Sequence, residues 1–371
     1  MPGWDRILLI LGAALALVVP WPALAAESVH PASQVIAEIR SLLAEGLPNP
    51  PSTEALEALD QGDFASRLQV IDPYAEWFPV GAFRPGRDRS GWWSGIGADI
   101  SFDGDDVRLL PYQGGPAAAA GVPDRARLLA IDGQAIRPLS PEALAERLRG
   151  PSGSWIQLTI SDESGEAMTV SLRRQWVRPL DVELIGTDGR RVIRLREFLA
   201  GLSRSALLAT VSFLRDQPGM KNEQPLIIDL RYNPGGDLFE AFDLAGLFVP
   251  AGTVLGSLHS RSQHPREVLA PAGDKLEGKI ILLVGPDTAS AAEVFAGALQ
   301  QLGRARLVGQ PTFGKCSSQT EVPLSDGSVF RYTNLEILLP GGIGCDGLGV
   351  APDLVMPTAQ LVDLLDKVIT K

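Results

Sequence analysis

Histidine, cysteine and lysine are scarce in this chain. Its 371 residues include three histidines, two cysteines and six lysines. Three histidines nearly exclude a multi-histidine metal centre, and two cysteines are too few for a disulfide scaffold. The shortage of positive charge, with a net charge of −11, argues against a nucleic-acid partner and an anionic membrane surface, because both normally need a basic face.

Long apolar runs are absent from the interior of the chain, where none approaches the roughly 20 residues of a membrane-spanning helix. The N-terminus is different. An apolar segment of 13 residues, Ile7–Val19, follows Arg6, and Ala23-Leu24-Ala25 has the small-residue pattern of a cleavage site. These features predict a signal peptide over residues 1–25 and an exported, periplasmic protein with no stable membrane insertion after cleavage. An uncleaved anchor is the alternative, although the segment is short for one.

The hydrophobic pattern divides the remaining chain into three regions. Residues 27–90 look helical, because apolar residues between 35 and 43 recur at the spacing of one helix face; the region is either a cap on a larger body or a dimerisation arm. Residues 91–176 alternate as strands around one helix that begins at Pro141. In residues 177–371 strands alternate with helices, which predicts a largely parallel sheet. The fold class is therefore multidomain α/β.

The elements expected in the third region follow from short apolar runs and helix caps. Ser203 is expected to cap a helix that ends near Asp216. The other predicted elements are strands at 192–195, 226–230, 280–284 and 305–308, helices at 239–248 and 291–302, and a hairpin over 322–335.

A turn with two adjacent glycines follows one of the buried strands, in the segment Asp229–Gly236. Glycine lets the backbone turn its N–H groups toward a ligand, so this turn could hold an oxyanion or a phosphate. The spacing fits neither a Walker loop nor a dinucleotide fingerprint. A purely structural turn is the alternative.

A serine and a lysine could form a catalytic pair. Ser290 lies where a buried strand turns into a helix, so it could be a nucleophile beside its own oxyanion hole or simply a helix cap. Lys315 lies between Phe313 and an alternating strand, where burial would favour its neutral form and make it a general base; a solvated loop lysine is the alternative. A triad with His259 or His264 stays open, although both lie in a segment that looks like an exposed loop.

Taken together, these segments resemble the C-terminal processing peptidases, also called tail-specific proteases. The resemblance covers nearly all of the chain after the signal peptide and implies that residues 177–371 form a serine peptidase core. Its motifs are Ile71–Phe78, Gly95–Ala98, Leu129–Gly133, Asp229–Gly236, Thr288–Glu293 and Thr312–Lys315.

The resemblance implies a role for each candidate residue. Ser290 would be the nucleophile and Lys315 the general base, at the 25-residue separation that the family uses. Gln319 would orient Lys315. The backbone N–H groups of Gly236 and Ala291 would form the oxyanion hole. No metal and no organic cofactor is implied.

The resemblance also identifies residues 91–176 as a PDZ domain. The backbone N–H groups of Gly95, Ile96 and Gly97 would hold the terminal carboxylate of a protein or peptide substrate. Ile96 and Ile100 suggest an apolar pocket for the last side chain, hence substrates with free, apolar C-termini. The predicted function is an exported endopeptidase that reads C-terminal tails and cuts with a Ser–Lys dyad. A non-catalytic scaffold that binds C-termini is the rival, and a homo-oligomer or an adaptor protein stays open.

Cys316 departs from the family pattern, because glycine usually follows the lysine there. Cys345 lies in a glycine-rich loop, 341–347, that could approach Cys316. In an exported protein we expect a Cys316–Cys345 disulfide, with two free buried thiols as the alternative. The bond would close a loop of about 30 residues and stabilise the fold by roughly 3–4 kcal/mol in the chain-entropy model.

Overall fold

The computed structural model describes residues 8–9, 30–82, 93–103, 106–137, 139, 141–162, 165–178, 180–185, 192–216, 224–357 and 361. The predicted signal peptide lies outside the described residues except for Leu8 and Leu9, as does its cleavage site. No helix in the described ranges is long and apolar enough to cross a membrane.

The described residues form two compact units. The first, here called the β-rich unit, contains Leu8–Leu9, the described residues between 85 and 185, and Arg194–Arg196. The second, here called the α/β unit, contains the described residues between 20 and 84 and almost all of those from 192 onward.

An antiparallel sheet dominates the β-rich unit, as the alternating pattern predicts. Its strands, in spatial order, are Ala98–Asp103, Asp106–Pro111, Ala126–Ile131, Trp155–Ser161 and Ala167–Arg173. Leu8–Leu9 pairs antiparallel with the outer edge of Ala98–Asp103. Smaller elements are the strands Trp93–Gly95, Gln134–Ala135, Gln175–Val177 and Val182–Ile185 and the helices Pro116–Ala119 and Pro141–Leu148.

A buried cluster of charges lies in the β-rich unit. The Arg196 guanidinium donates to Asp99 at 2.7 Å and to Glu183 at 2.8 Å, and it stacks 4.9 Å from the centre of the Tyr112 ring. The three charged side chains are almost fully buried. Arg196 therefore supplies a buried positive charge to both carboxylates.

Parallel strands form one sheet of the α/β unit. Leu226–Asp229, Ile280–Val284, Ala305–Gly309 and Leu354–Val355 pair in parallel in this order, and Val192–Leu195 lies beside the first of them. The connecting and flanking helices are Ser203–Arg215, Leu238–Gly246 and Ala291–Gln301. All five side chains of Ile280–Val284 are buried, which explains the continuous apolar run.

An antiparallel sheet completes the α/β unit. Its strands are, in spatial order, Arg266–Leu269, Val254–His259, Val329–Leu339 and Ser317–Pro323, and Glu76–Phe78 and Ile343–Gly344 also pair with Val329–Leu339.

The N-terminal helices pack on this second sheet. They are Ser33–Gly46, Thr53–Glu57 and Phe64–Ile71, with a short 3₁₀ turn at Ala58–Asp60. Their buried apolar residues form one cluster with Phe330 and Tyr332. These helices therefore cap their own unit; whether they also act as a dimerisation arm stays a prediction. The strand Glu76–Phe78 was not expected in a region predicted to be helical.

Two local predictions were wrong. Ser203 is the first residue of its helix, and Leu202 holds the cap position. The Ser203 hydroxyl instead accepts a hydrogen bond from the Leu199 N–H at 2.8 Å, because the tight turn before the helix needs that acceptor. His259 ends a strand rather than lying in an exposed loop, since its neighbours pair with Val329–Leu339.

Replacing Arg196 with alanine should destabilise the β-rich unit by about 3–5 kcal/mol, because two buried carboxylates would lose the guanidinium that is bonded to both. Urea unfolding followed by hydrogen exchange at amides of this unit measures the cost, since two units need not unfold together. Arg127→Ala is the matched control. It removes a surface ion pair with Asp106 and should cost less than about 1 kcal/mol. Equal costs for both variants would contradict the role of the buried cluster.

Candidate active site

The three candidate segments follow three neighbouring parallel strands. Asp229–Gly236 begins at the end of Leu226–Asp229, Ser290 lies shortly after Ile280–Val284, and Lys315 lies shortly after Ala305–Gly309. Because the carboxyl ends of parallel strands meet at one edge of a sheet, the three segments come together there.

Hydrogen bonds join the segments to one another. The Thr288 hydroxyl donates to the Leu230 carbonyl oxygen at 2.7 Å. The Thr288 carbonyl oxygen accepts from the Phe313 N–H at 2.9 Å, and the Asn233 carbonyl oxygen accepts from the Ala289 N–H at 3.0 Å. The segment that contains the serine is thus attached to both of the others.

The backbone of Ser290 is in the left-handed region, with φ of 56°. Such a conformation is uncommon for a residue with a side chain and is held by its surroundings. Gly235 packs directly against it: a Cβ built on Gly235 would lie 2.8 Å from the Ser290 Cβ and 2.9 Å from the Ala291 nitrogen. Glycine is therefore required here, both for this contact and for the φ of +109° at Gly235.

A single buried carboxylate fixes the serine and the lysine. Oε2 of Glu293 accepts from the Ser290 N–H at 2.9 Å and from the Lys315 N–H at 2.7 Å. Oε1 accepts from the Gly314 N–H at 2.7 Å and from the Thr312 hydroxyl. Glu293 is fully buried. The backbones of Ser290 and Lys315 thus meet at one carboxylate oxygen.

Lys315 is buried, as a general base would require. Burial, helped by the charge of Arg331, lowers the pKa of Lys315 from 10.5 to about 8, although carboxylates nearby oppose the shift. About one molecule in ten would then carry a neutral amine at pH 7. Lys315 forms no ion pair within the described residues, which leaves its nitrogen available. The solvated-loop alternative for this lysine is therefore excluded.

Tyr74 also contacts the lysine, although sequence reasoning assigned it no role. The Lys315 nitrogen lies 5.1 Å from the centre of the Tyr74 ring. The Tyr74 hydroxyl donates to the Gly314 carbonyl oxygen at 3.1 Å. Burial, then the charge of Asp346, raises the pKa of Tyr74 above its ordinary value, so the phenol stays protonated and can donate.

The predicted oxyanion donors are the N–H groups of Ala291, which follows Ser290, and Gly236, which follows Gly235. Ala291 is the first residue of its helix, so its N–H has no partner within the helix. The N–H of Gly236 donates to no other group in the described part of the chain, whereas the neighbouring Gly235 carbonyl oxygen accepts from Phe198 at 2.9 Å. Both donors are thus available, next to the Gly235–Ser290 contact.

Gln319 does not contact the lysine directly. Its amide nitrogen donates to the hydroxyls of Ser317 at 3.2 Å and Thr333 at 3.3 Å. The described residues contain no hydrogen bond between Gln319 and Lys315. The predicted orienting role stays a prediction.

The histidines are not joined to the serine. The His259 ring nitrogen Nε2 is hydrogen-bonded to the Ser257 hydroxyl at 2.9 Å, and His264 is exposed. Neither forms a hydrogen bond with Ser290 in the ranges described. No group of three or more potential ligands among the described residues could hold a metal ion.

The disulfide between Cys316 and Cys345 is present, with Cα atoms 5.4 Å apart. Both residues are fully buried. It joins the residue after Lys315 to the loop that follows Val329–Leu339. The prediction from the sequence is confirmed, and the alternative of two free thiols is not.

The predicted carboxylate-binding loop lies in the β-rich unit. Its carbonyl oxygens point into the fold: that of Ile96 accepts from Ala117 at 2.8 Å and that of Gly97 from Tyr112 at 2.9 Å. The loop also forms an antiparallel bridge with the end of the neighbouring helix, between Gly95 and Arg149. The N–H of Gly97 donates no backbone hydrogen bond within the described residues. Ile96 and Ile100 are fully buried in the core of this unit, so their first role is to fill that core.

Comparisons with known proteins agree on one family. Residues 192–356 match the model of peptidase family S41. A carboxyl-terminal-processing protease of Picosynechococcus is 33% identical over 82% of this chain and 73% of its own length. A probable CtpA-like serine protease of Staphylococcus saprophyticus is 29% identical over 77% of this chain, which spans 58% of that relative. The solved structure of the photosystem II D1 C-terminal processing protease superimposes with a TM-score of 0.60 at 25% identity, covering 87% of this chain and 92% of that one.

The fold is that of a serine peptidase. The chain belongs to peptidase family S41, and within it to the carboxyl-terminal-processing serine peptidases.

Replacing Gly235 with alanine should lower kcat/KM at least 100-fold, because the new methyl group would displace Ser290 and Ala291, and small displacements of reacting groups are costly. The rate is measured on an unfolded reporter substrate. Gly252→Ala is the matched control. Gly252 also has a positive φ, +80°, but nothing lies within 4 Å of a Cβ built on it. The Gly252→Ala variant should therefore keep its activity within about threefold. Both variants should lose about 1–3 kcal/mol of stability, because alanine is strained at positive φ. Equal activity of the two variants would contradict this packing argument.

Proposed function

We propose that this chain is an exported endopeptidase that cleaves protein substrates with a Ser290–Lys315 dyad after binding their C-terminal tails. The observation that carries the proposal is the Glu293 carboxylate. It holds the Ser290 and Lys315 backbones on one oxygen, next to a lysine whose pKa burial lowers to about 8. A lysine of that kind can accept a proton near neutral pH.

The chemistry follows from these positions. Neutral Lys315 takes the proton of the Ser290 hydroxyl as its oxygen attacks the scissile carbonyl carbon. The N–H groups of Gly236 and Ala291 stabilise the negative oxygen that forms. The Lys315 ammonium then gives its proton to the leaving amine, and the peptide C–N bond breaks. Water, deprotonated by the same lysine, finally releases the acyl group from Ser290.

Gln319 supports the dyad through its neighbours in this proposal. Its amide holds the hydroxyls of Ser317 and Thr333, and Ser317 lies two residues beyond Lys315. It would therefore orient the lysine by fixing the start of the strand Ser317–Pro323 that directly follows it.

Tail recognition would take place in the β-rich unit, which we propose is the PDZ domain. The backbone N–H groups of the loop Gly95, Ile96 and Gly97 would bind the terminal carboxylate, and the tail would add a strand to the edge of Ala98–Asp103. That edge already accepts an extended segment, since Leu8–Leu9 pairs with it. Removal of residues 1–25 would leave the edge open.

The proposed boundaries follow the sequence interpretation. Residues 1–25 would be the signal peptide, 27–90 the helical cap, 91–176 the PDZ domain and 177–371 the peptidase core. The Cys316–Cys345 disulfide supports export to an oxidising compartment such as the periplasm.

Ser290→Ala and Lys315→Ala should each abolish cleavage of an unfolded reporter while the protein still folds, and the double variant should lose little more than either one. In the wild type, kcat/KM should rise with pH with a midpoint near 8, because the lysine, whose pKa is about 8, is active only when it has lost its proton. His259→Ala and His264→Ala are the controls and should stay largely active. A histidine variant as inactive as Ser290→Ala would contradict the dyad, and full activity of Ser290→Ala would contradict the proposed nucleophile.

Amidating the C-terminus of a substrate should slow cleavage at least tenfold, because the N–H donors of the carboxylate-binding loop would lose the carboxylate that they bind. A tail that ends in Asp-Asp should slow cleavage by a similar factor, because it places a charged side chain at this loop. The measurement compares otherwise identical reporters with a free apolar tail, an amidated tail and an acidic tail. Equal rates for the free and amidated tails would rule out carboxylate capture.

A further inference from the structure

The loop that contains Cys345 is attached to the segment that contains Lys315 by three bonds. Besides the disulfide, the N–H of Cys316 donates to Oδ1 of Asp346 at 2.8 Å. The N–H of Gly347 donates to a carbonyl oxygen of the lysine segment, also at 2.8 Å. The disulfide therefore fixes Asp346, the residue after Cys345, next to the catalytic segment.

The Asp346 carboxylate interacts with residues that surround Lys315. It interacts with the hydroxyl of Tyr74, whose ring lies 5.1 Å from the Lys315 nitrogen. It also interacts with the hydroxyl of Ser317, two residues beyond the lysine. Asp346, Tyr74 and Lys315 thus form one cluster.

Several titratable or charged side chains face Lys315. These are Asp72, Tyr74, Glu293, Arg331 and Asp346. Arg331 disfavours the lysine ammonium and the three carboxylates favour it.

The three carboxylates differ in the hydrogen bonds that they accept. Glu293 accepts four hydrogen bonds from the serine and lysine segments. Asp72 accepts from the N–H of Tyr74 and from the N–H and hydroxyl of Thr333. Asp346 accepts from one backbone N–H and lies at the surface. At Asp346 an asparagine would keep one oxygen as the acceptor for the Cys316 N–H and remove the negative charge.

We propose that Asp346 is a positioning residue for the dyad: it holds the backbone beside Lys315 and stabilises the ammonium that forms when Lys315 takes the Ser290 proton. The inference rests on the proposed role of Lys315 as general base. In this proposal the disulfide loop supplies the negative charge that stabilises the protonated lysine. The cross-link directly after Lys315 then has a purpose, because it keeps Asp346 beside the base.

Asp346→Asn should lower the midpoint of the pH dependence of kcat/KM by about 0.5–1 unit, because a negative charge near the ammonium is lost. The plateau at high pH should fall severalfold, since the ammonium formed in the transition state is less stabilised. Asp346→Ala should lower the plateau further, because the N–H of Cys316 also loses its acceptor. Raising the salt concentration should shrink the shift, since Asp346 is exposed.

A second measurement separates this inference from the proposed function. Competitive labelling of Lys315 with acetic anhydride over a range of pH reports its pKa in the Ser290→Ala protein, where no catalysis is needed. Asp346→Asn should lower that pKa by the same amount. Asp274→Asn, which changes an exposed carboxylate elsewhere in the α/β unit, is the matched control and should leave both profiles unchanged. An unchanged labelling midpoint in folded Asp346→Asn would overturn the inference, even if the dyad itself proves correct.

Discussion

The structure of the active site depends on one buried carboxylate. Glu293 lies in the first turn of its helix. Its two carboxylate oxygens nevertheless accept hydrogen bonds from a segment 19 to 22 residues further along the chain. A buried charge of this kind is stable only when its lone pairs are filled by hydrogen bonds. The carboxylate therefore needs the surrounding N–H groups as donors, and these N–H groups need the carboxylate as their acceptor. The helix start, the strained serine and the lysine segment cannot move independently.

The elements of the core could be predicted because their signals are local. The runs at 226–230, 280–284 and 305–308 are short and apolar, and the helices between them have clear starts. The segments of Ser290 and Lys315 follow these runs directly. Their spacing along the sequence therefore carried most of the information about the site.

Contacts between distant residues could not be predicted in the same way. Tyr74 contacts Gly314 across 240 residues, and Glu76–Phe78 is a strand only because it pairs with Val329–Leu339. Neither contact leaves a periodic pattern. Glu293 did leave a signal, since a serine followed three residues later by glutamate is typical of a capping box. That pattern predicts a bond to the serine backbone but says nothing about the lysine.

The disulfide would link the assembly of the candidate active site to the export that we propose. Thiols stay reduced in the cytoplasm and pair only after export. A newly made chain would therefore hold its lysine segment by hydrogen bonds alone, with about 30 residues between the cysteines free of the cross-link. In the exported protein that we propose, the cross-link would form in the compartment where the substrates are met. Before export, the lysine segment of such a peptidase would lack its covalent cross-link. The site would therefore be least ordered while the chain is still among cytoplasmic proteins.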